Sequence, residues 1–215
     1  MHRIKSIAFP LMLFVGVAVL QADTIGGPDS DCASCAGAAY TLTYSGSPIS
    51  STSTTQTFQI TLDVNDAFYS GGGSFLNAVA INVAAPADLV GASLASAPSD
   101  FSSLSGSGLD ASGCASNGSG FVCTQADDLG APVSGSPYDF VFDVTVDTGT
   151  LFTGTDAASI KGLYVNSDGR KVGALLSEDI TLQTASAPEP SSALMLGSVL
   201  FGALLLFRRT RKAQA

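Results

Sequence analysis

Phe58-Gln59-Ile60-Thr61-Leu62-Asp63-Val64 sets an apolar side chain at every second position and a polar one between. Successive side chains of a strand point to opposite faces. This period of two therefore predicts a half-buried β-strand with Phe58, Ile60, Leu62 and Val64 inward. Phe140-Val141-Phe142-Asp143-Val144-Thr145-Val146-Asp147 repeats the pattern, with the phenylalanines and Val144 and Val146 on one side. Tyr40–Tyr44 alternates as well, and Phe75–Val83 puts Val79, Ile81 and Val83 on one face. Ile160–Val165 and Lys171–Leu176 flank Asn166-Ser167-Asp168-Gly169, which reads as a hairpin turn, and Ile180–Gln183 reads as a last strand. No 12-residue stretch between these segments has a clear helical period. The expected fold is all-β, an antiparallel β-sandwich of jelly-roll-like character.

The segments between these strands read as loops. They are Gly71-Gly72-Gly73, the Ser/Gly-rich stretch Ser96–Gly120, and Asp127–Pro137. Ser45–Thr57 fits an edge strand or a loop. Asp23–Asp31 reads as a mobile lead and Thr184–Pro190 as a linker. No internal repeat of solenoid length is found.

The two ends differ in kind from this middle. Met1-His2-Arg3-Ile4-Lys5 is a short basic start, followed by the apolar run Ile7–Leu20 and the small residue Ala22. This is the pattern of a signal peptide for the Sec export machinery, spanning residues 1–22 with cleavage after Ala22. At the other end Pro188-Glu189-Pro190 precedes an apolar run from Ser191 to Phe207, and then Arg208, Arg209, Arg211 and Lys212. A helix over those 17 residues would be about 25 Å long, at the short edge of what spans a bilayer. The four cations would hold its end on the cytoplasmic side. The prolines cannot continue a helix upstream, so they keep the motif extended and exposed. These physical features fit a processed sorting signal and a plain membrane anchor about equally.

The order Pro-Glu-Pro, apolar helix, Arg-rich end resembles the PEP-CTERM sorting signal of exported proteins in Gram-negative bacteria that make extracellular polysaccharide. The resemblance covers about residues 187–212. It implies recognition by an integral-membrane exosortase through Pro188, Glu189 and Pro190, with cleavage near the motif. The product would pass across the inner membrane, be held transiently by the helix 191–207, and go on to the cell surface or extracellular matrix. Extracellular polysaccharide is the implied neighbour. Residues 23–187 would then be the exported domain and 188–212 the sorting tail. The Cys-x-x-Cys start, the segment Gly71–Ile81, the cysteine-bounded loop and Tyr138–Val146 also resemble a recurrent passenger domain of such proteins, to which no activity attaches.

Composition narrows the domain further. Residues 23–187 hold three cations, Lys161, Arg170 and Lys171, against 17 acids, a net charge of −14. That surface repels nucleic acid, so nucleic acid is not an expected partner. The single histidine, His2, lies in the signal segment. A histidine base, a Ser-His-Asp or Cys-His nucleophile and histidine metal ligands are therefore excluded from the domain. The chain has no Trp, which counts against a lectin, although five Tyr remain.

Four cysteines, Cys32, Cys35, Cys114 and Cys123, form an even set in an exported chain, which reads as disulfides. Three pairings are possible, and Cys32–Cys35 with Cys114–Cys123 is the favoured one. A four-thiolate zinc site would need reduced cysteines and a tighter second spacing. A redox Cys-x-x-Cys usually opens a helix, whereas this one precedes a strand-like segment.

Candidate chemistry is sparse. Asp127-Asp128 and Glu178-Asp179 offer paired carboxylates of the kind glycoside hydrolysis uses, although adjacent acids are more often a solvated face. Asp63, Asn65 and Asp66, and separately Asn166 and Asp168, offer compact oxygen sets for a structural calcium ion, against an ordinary role in turns. Neither matches an EF-hand or a Gly-rich nonapeptide repeat, and no other cofactor or catalytic residue is expected. Asn117-Gly118-Ser119 fits an N-glycosylation pattern. The expected function is that of a non-enzymatic surface or matrix protein associated with a biofilm envelope. The alternative is a glycan-, calcium- or ice-binding module tethered to the membrane. For ice, Thr52–Thr61 is suggestive, but no regular Thr-x-Thr array repeats along the sequence. For glycan, Tyr69 or Tyr138 would stand exposed near a loop cluster.

Overall fold

The computed structural model describes residues 24–28, 32–106, 108–115, 120–149, 151–152, 157–172 and 176–184. The signal segment 1–22, the sorting tail 188–212 and Asn117 lie outside the described residues. In chain order the strands begin with β1 (Thr24–Gly26), β2 (Ala39–Tyr44), β3 (Ser50–Ser51), β4 (Thr55–Asn65) and β5 (Phe75–Asn82). Next come β6 (Leu89–Ser96), β7 (Leu104–Gly106), β8 (Gly108–Asp110), β9 (Gly113–Ala115) and β10 (Val122–Gln125). The series ends with β11 (Ala131–Pro132), β12 (Tyr138–Asp147), β13 (Ala158–Val165), β14 (Leu176–Ile180) and β15 (Gln183–Thr184). Short 3-10 turns lie at Ala33–Cys35 and Val133–Gly135.

These strands form an all-β, β-sandwich-like structure. The first sheet runs β1-β2-β4-β12-β6, with β3 beside β4 and β15 beside β2. The second runs β14-β13-β5-β10-β7, with β11 beside β5, and β8-β9 form a separate ribbon. The pairings are antiparallel except β15 on β2. β4 and β12 pair over ten positions, with Phe142 opposite Ile60 and Phe140 opposite Leu62. The chain passes from β4 to β5, from β5 to β6 and from β6 to β7, changing sheets each time.

The period of two explains the core. Leu42, Ile60, Leu62, Val64, Phe140 and Phe142 turn inward from the first sheet and meet Val79, Ile81, Val122, Ile160 and Leu176 of the second. Each such side chain is fully or almost fully enclosed, and burying one contributes roughly 1.5–3 kcal/mol. The outward positions of the first sheet carry Thr41 and Thr43 on β2, Thr57 and Thr61 on β4, and Thr145 on β12. Cross-strand hydroxyl pairs Thr24–Thr41 (2.8 Å) and Thr57–Thr145 (2.9 Å) run over this face. The sheet thus collects threonines from four strands that show no array along the sequence.

Several expectations need correcting. Asp23–Asp31 is not wholly a mobile lead, because β1 within it pairs with β2. Ser96–Gly120 is not a plain loop, since it holds β7, β8 and β9, and β6 just before it pairs along β12. β7, β8 and β9 carry few apolar side chains, with Leu109 enclosed and Leu104 and Cys114 partly buried, too few to show a period. The last turn-linked pair also differs. Lys171 makes only an isolated bridge to Val165, and the strand itself is Leu176–Ile180. Ile180–Gln183 is not one strand, because the chain crosses to the other sheet and β15 joins β2. β5 is buried on both faces. Val79 and Ile81 enter the core, while Ala78 and Ala80 lie under Leu109, Cys123 and Leu163. Alanine suits that side because the β8-β9 ribbon packs closely over it.

Candidate functional site

The loops at one end of the structure converge on Asp66, the first residue after β4. Asn65 continues the outward side of the strand, so Asp66 turns inward, and it is only 2% exposed. Its Oδ1 accepts a hydrogen bond from the Tyr164 hydroxyl at 2.6 Å. The Tyr40 hydroxyl lies 2.6 Å from that of Tyr164. Tyr164 has one hydrogen and spends it on Asp66, so Tyr40 is the donor in that pair. The Tyr69 ring stacks on Tyr164 with centroids 4.2 Å apart and planes at 16°. Burial raises Tyr138, with the Asp66 charge adding to it. Three of the five tyrosines therefore gather at one buried carboxylate.

Burial controls the protonation of this group. It pushes Asp66 up to about 6, with the Tyr164 hydrogen bond opposing. Burial likewise raises Tyr40, with its hydrogen bond to Tyr164 opposing, and raises Tyr164 well above the usual phenol range. Tyr69 is raised by burial, with a backbone hydrogen bond at Gly73 opposing. Asp66 Oδ2 is buried and has no hydrogen-bond partner among the described residues. The Asp66 backbone N–H donates to Ser136 Oγ at 2.5 Å, and Ser136 donates on to Asn65 Oδ1 at 3.4 Å. Asp66, Tyr40 and Tyr164 are almost fully enclosed. The cluster locks the loop after β4 to β13 and to the segment before β12.

The other sequence candidates separate. Asp63 faces outward, opposite Asp139 of β12, away from Asp66. Burial, the Asp139 charge and a hydrogen bond between the two carboxyls all raise Asp63. Strand alternation thus splits the proposed oxygen set Asp63, Asn65 and Asp66. Asn166 Oδ1 accepts from the backbone N–H groups of Asp168 and Arg170, both at 3.0 Å, so it shapes the turn. Asp127 accepts from Ser102 at 2.8 Å, while the Asp128 carbonyl accepts from Asn77 at 3.0 Å. Glu178 and Asp179 are neighbours on β14 and point to opposite faces, Glu178 accepting from Ser34. Among the described residues no group of three or more His, Cys, Asp or Glu side chains is placed to hold a metal.

Both favoured cysteine pairs stand at disulfide distance. Cys32 and Cys35 have Cα atoms 5.4 Å apart, Cys32 capping the first 3-10 turn and Cys35 ending it. Cys114 and Cys123 are 5.8 Å apart and fasten β9 to β10, holding the ribbon over Ala78 and Ala80. No free cysteine occurs among the described residues.

Beside the Asp66 cluster lies a pocket of about 350 Å³ lined by Pro98, Ser99, Asp100, Ala131, Pro132 and Tyr138. Tyr138 was a sequence candidate for an aromatic near a loop cluster, and the pocket is where it stands. Tyr69 instead is half-buried against Tyr164. Sequence reading did not single out Asp100 or the Asp66–Tyr164 pair. One signal was present for the latter. Tyr40 sits at a core-facing position of its strand, and a buried phenol requires a partner.

Comparison with protein-family models, curated proteins and solved structures finds no match for this chain.

Proposed function

We propose that this chain is an exported, non-enzymatic protein of the cell surface or extracellular matrix, handed to an exosortase through Pro188, Glu189 and Pro190. The observation that carries this reading is the ordered sequence of residues 188–212: an extended proline motif, an apolar run of spanning length, and Arg208, Arg209, Arg211 and Lys212. The basic and apolar start supports export across the inner membrane. Two cysteine pairs at disulfide distance suit an oxidising compartment. In this reading the helix 191–207 anchors the protein only until processing, and the released domain joins a polysaccharide-rich biofilm envelope.

The domain itself we read as a jelly roll. The supporting feature is the order of strands. β12 returns between β4 and β6 in one sheet, and β10 returns between β5 and β7 in the other. This is the pattern produced when a long folded ribbon wraps around a barrel. β2, β13 and β14 extend the edges.

Replacing both prolines, Pro188→Ala with Pro190→Ala, tests the sorting step in the native host. The double variant is expected to accumulate in the inner-membrane fraction with its C-terminal segment intact. Unchanged release to the surface would remove the motif from the mechanism.

A further inference from the structure

We infer that the pocket between the 98–101 loop and β11 is a subsite for one neutral pyranose ring. The inference rests on the pocket alone, and it holds whether the chain is released or stays anchored. Its first support is preorganisation. Phe101 N–H donates to the Pro98 carbonyl and Asp127 N–H to the Asp100 carbonyl, both at 2.9 Å. The Asn77 side chain donates to the carbonyls of Asp128 and Leu129 at 3.0 and 3.2 Å, which fixes the approach to Gly130 and β11. Phe101 packs edge-on against Phe140 in the core, with centroids 4.9 Å apart. The Tyr138 hydroxyl donates to the Pro132 carbonyl at 2.7 Å, so the ring has a set orientation. Walls held this way need little ordering on binding, which lowers the entropic cost for a small ligand.

The second support is chemistry. Two pyrrolidine rings, Ala131 and the Tyr138 ring give apolar surface, and Ser99 and the half-buried Asp100 give polar groups. Neither the Ser99 hydroxyl nor the Asp100 carboxylate bonds to another described residue, so both can serve a ligand. A pyranose has the matching character, with C–H faces for the apolar surface and hydroxyl edges for a carboxylate acceptor. A purely apolar ligand would strip water from Asp100 without replacing its hydrogen bonds. An anionic ligand meets Asp100 with no cation in the lining and a domain of net charge −14. A simple ammonium group would leave most of the 350 Å³ unfilled. The volume lies within the range of small-molecule sites and suits one sugar unit of a chain.

The test is saturation-transfer NMR on the purified full chain with methyl α- and β-glycosides of glucose, galactose, mannose and xylose. Tetramethylammonium and methyl glucuronide complete the set. At least one neutral glycoside should bind at about millimolar affinity, as befits a small ligand in a shallow site. Tyr138→Ala and Asp100→Asn should each weaken it by about tenfold, the equivalent of one lost interaction. Asp143→Asn, on the outer face of β12, should leave it unchanged, and circular dichroism should be the same for all variants. Absence of signal from every neutral glycoside would overturn the inference. So would binding that persists in both pocket variants, or a site that takes only tetramethylammonium or only the glucuronide.

Discussion

Replacing Asp66 by Asn should make the protein more stable at neutral pH, the reverse of the usual result for a hydrogen-bonded carboxylate. In the folded chain burial lifts Asp66 from 3.8 to about 6. A carboxyl with a raised folded value favours the native state only while protonated. Its contribution is full below pH 3.8 and is lost as pH rises through about 6. The gap of about two pH units corresponds to about 3 kcal/mol at 1.4 kcal/mol per unit. Asparagine has the same shape and keeps an oxygen for the Tyr164 hydroxyl, but it carries no charge. The assay is urea unfolding of both proteins from pH 4 to pH 8, comparing their difference at each pH so that the other carboxylates cancel. The Asp66→Asn curve should gain about 3 kcal/mol on the natural protein between pH 4 and pH 7.5. Parallel curves across that range would show that the Asp66 charge is solvated. The reading of a buried, half-unpartnered carboxylate would then be wrong.

Two further outcomes follow from the fold. A Cβ on Gly130 would stand 2.2 Å from the Leu76 carbonyl at a φ of +102°, so Gly130→Ala should cost about 2 kcal/mol or more. Gly91→Ala, with open space around it, should be within about 0.5 kcal/mol of neutral in the same thermal melt. Replacing Cys114 and Cys123 together by Ser opens a ten-residue loop and should cost about 3 kcal/mol. Because the ribbon has its own small cluster, hydrogen exchange should speed up in β8, β9 and β10 and stay slow in β4 and β12. Uniform acceleration across both sheets would instead make the ribbon part of the main cooperative unit.

The long strands were legible because alternation reports a sheet with one wet face. β4 and β12 expose Thr, Gln and Asp on one side and bury Phe, Ile, Leu and Val on the other, so residues 58–64 and 140–146 announce themselves. The signal fades where both faces are covered or where a strand buries little. β5 hid its second buried face because Ala78 and Ala80 are small, β6 hid because Leu89, Val90 and Leu94 keep no period of two, and β7 to β9 hid because Gly and Ser carry almost no hydropathy contrast. The Asp66 cluster was only half visible. Tyr40 and Tyr164 fall in strands, but nothing along the chain says that residues 98 to 124 positions apart meet at one carboxylate. Glu178 and Asp179 are separated for a geometric reason, since neighbours on a strand face opposite ways. The pocket is built from Pro98–Asp100 and Ala131–Tyr138, which lie about thirty residues apart and join only through β12 and its flanking loops.

The most direct test of the account is the intact mass of the protein recovered from its native host and from the same host lacking the exosortase. Processing through Pro188-Glu189-Pro190 predicts loss of the residues beyond the motif only when the exosortase is present, with residues 1–22 removed in both strains. A chain that keeps Arg208 to Lys212 in both strains would contradict it, leaving a domain tethered at the inner membrane by an ordinary anchor.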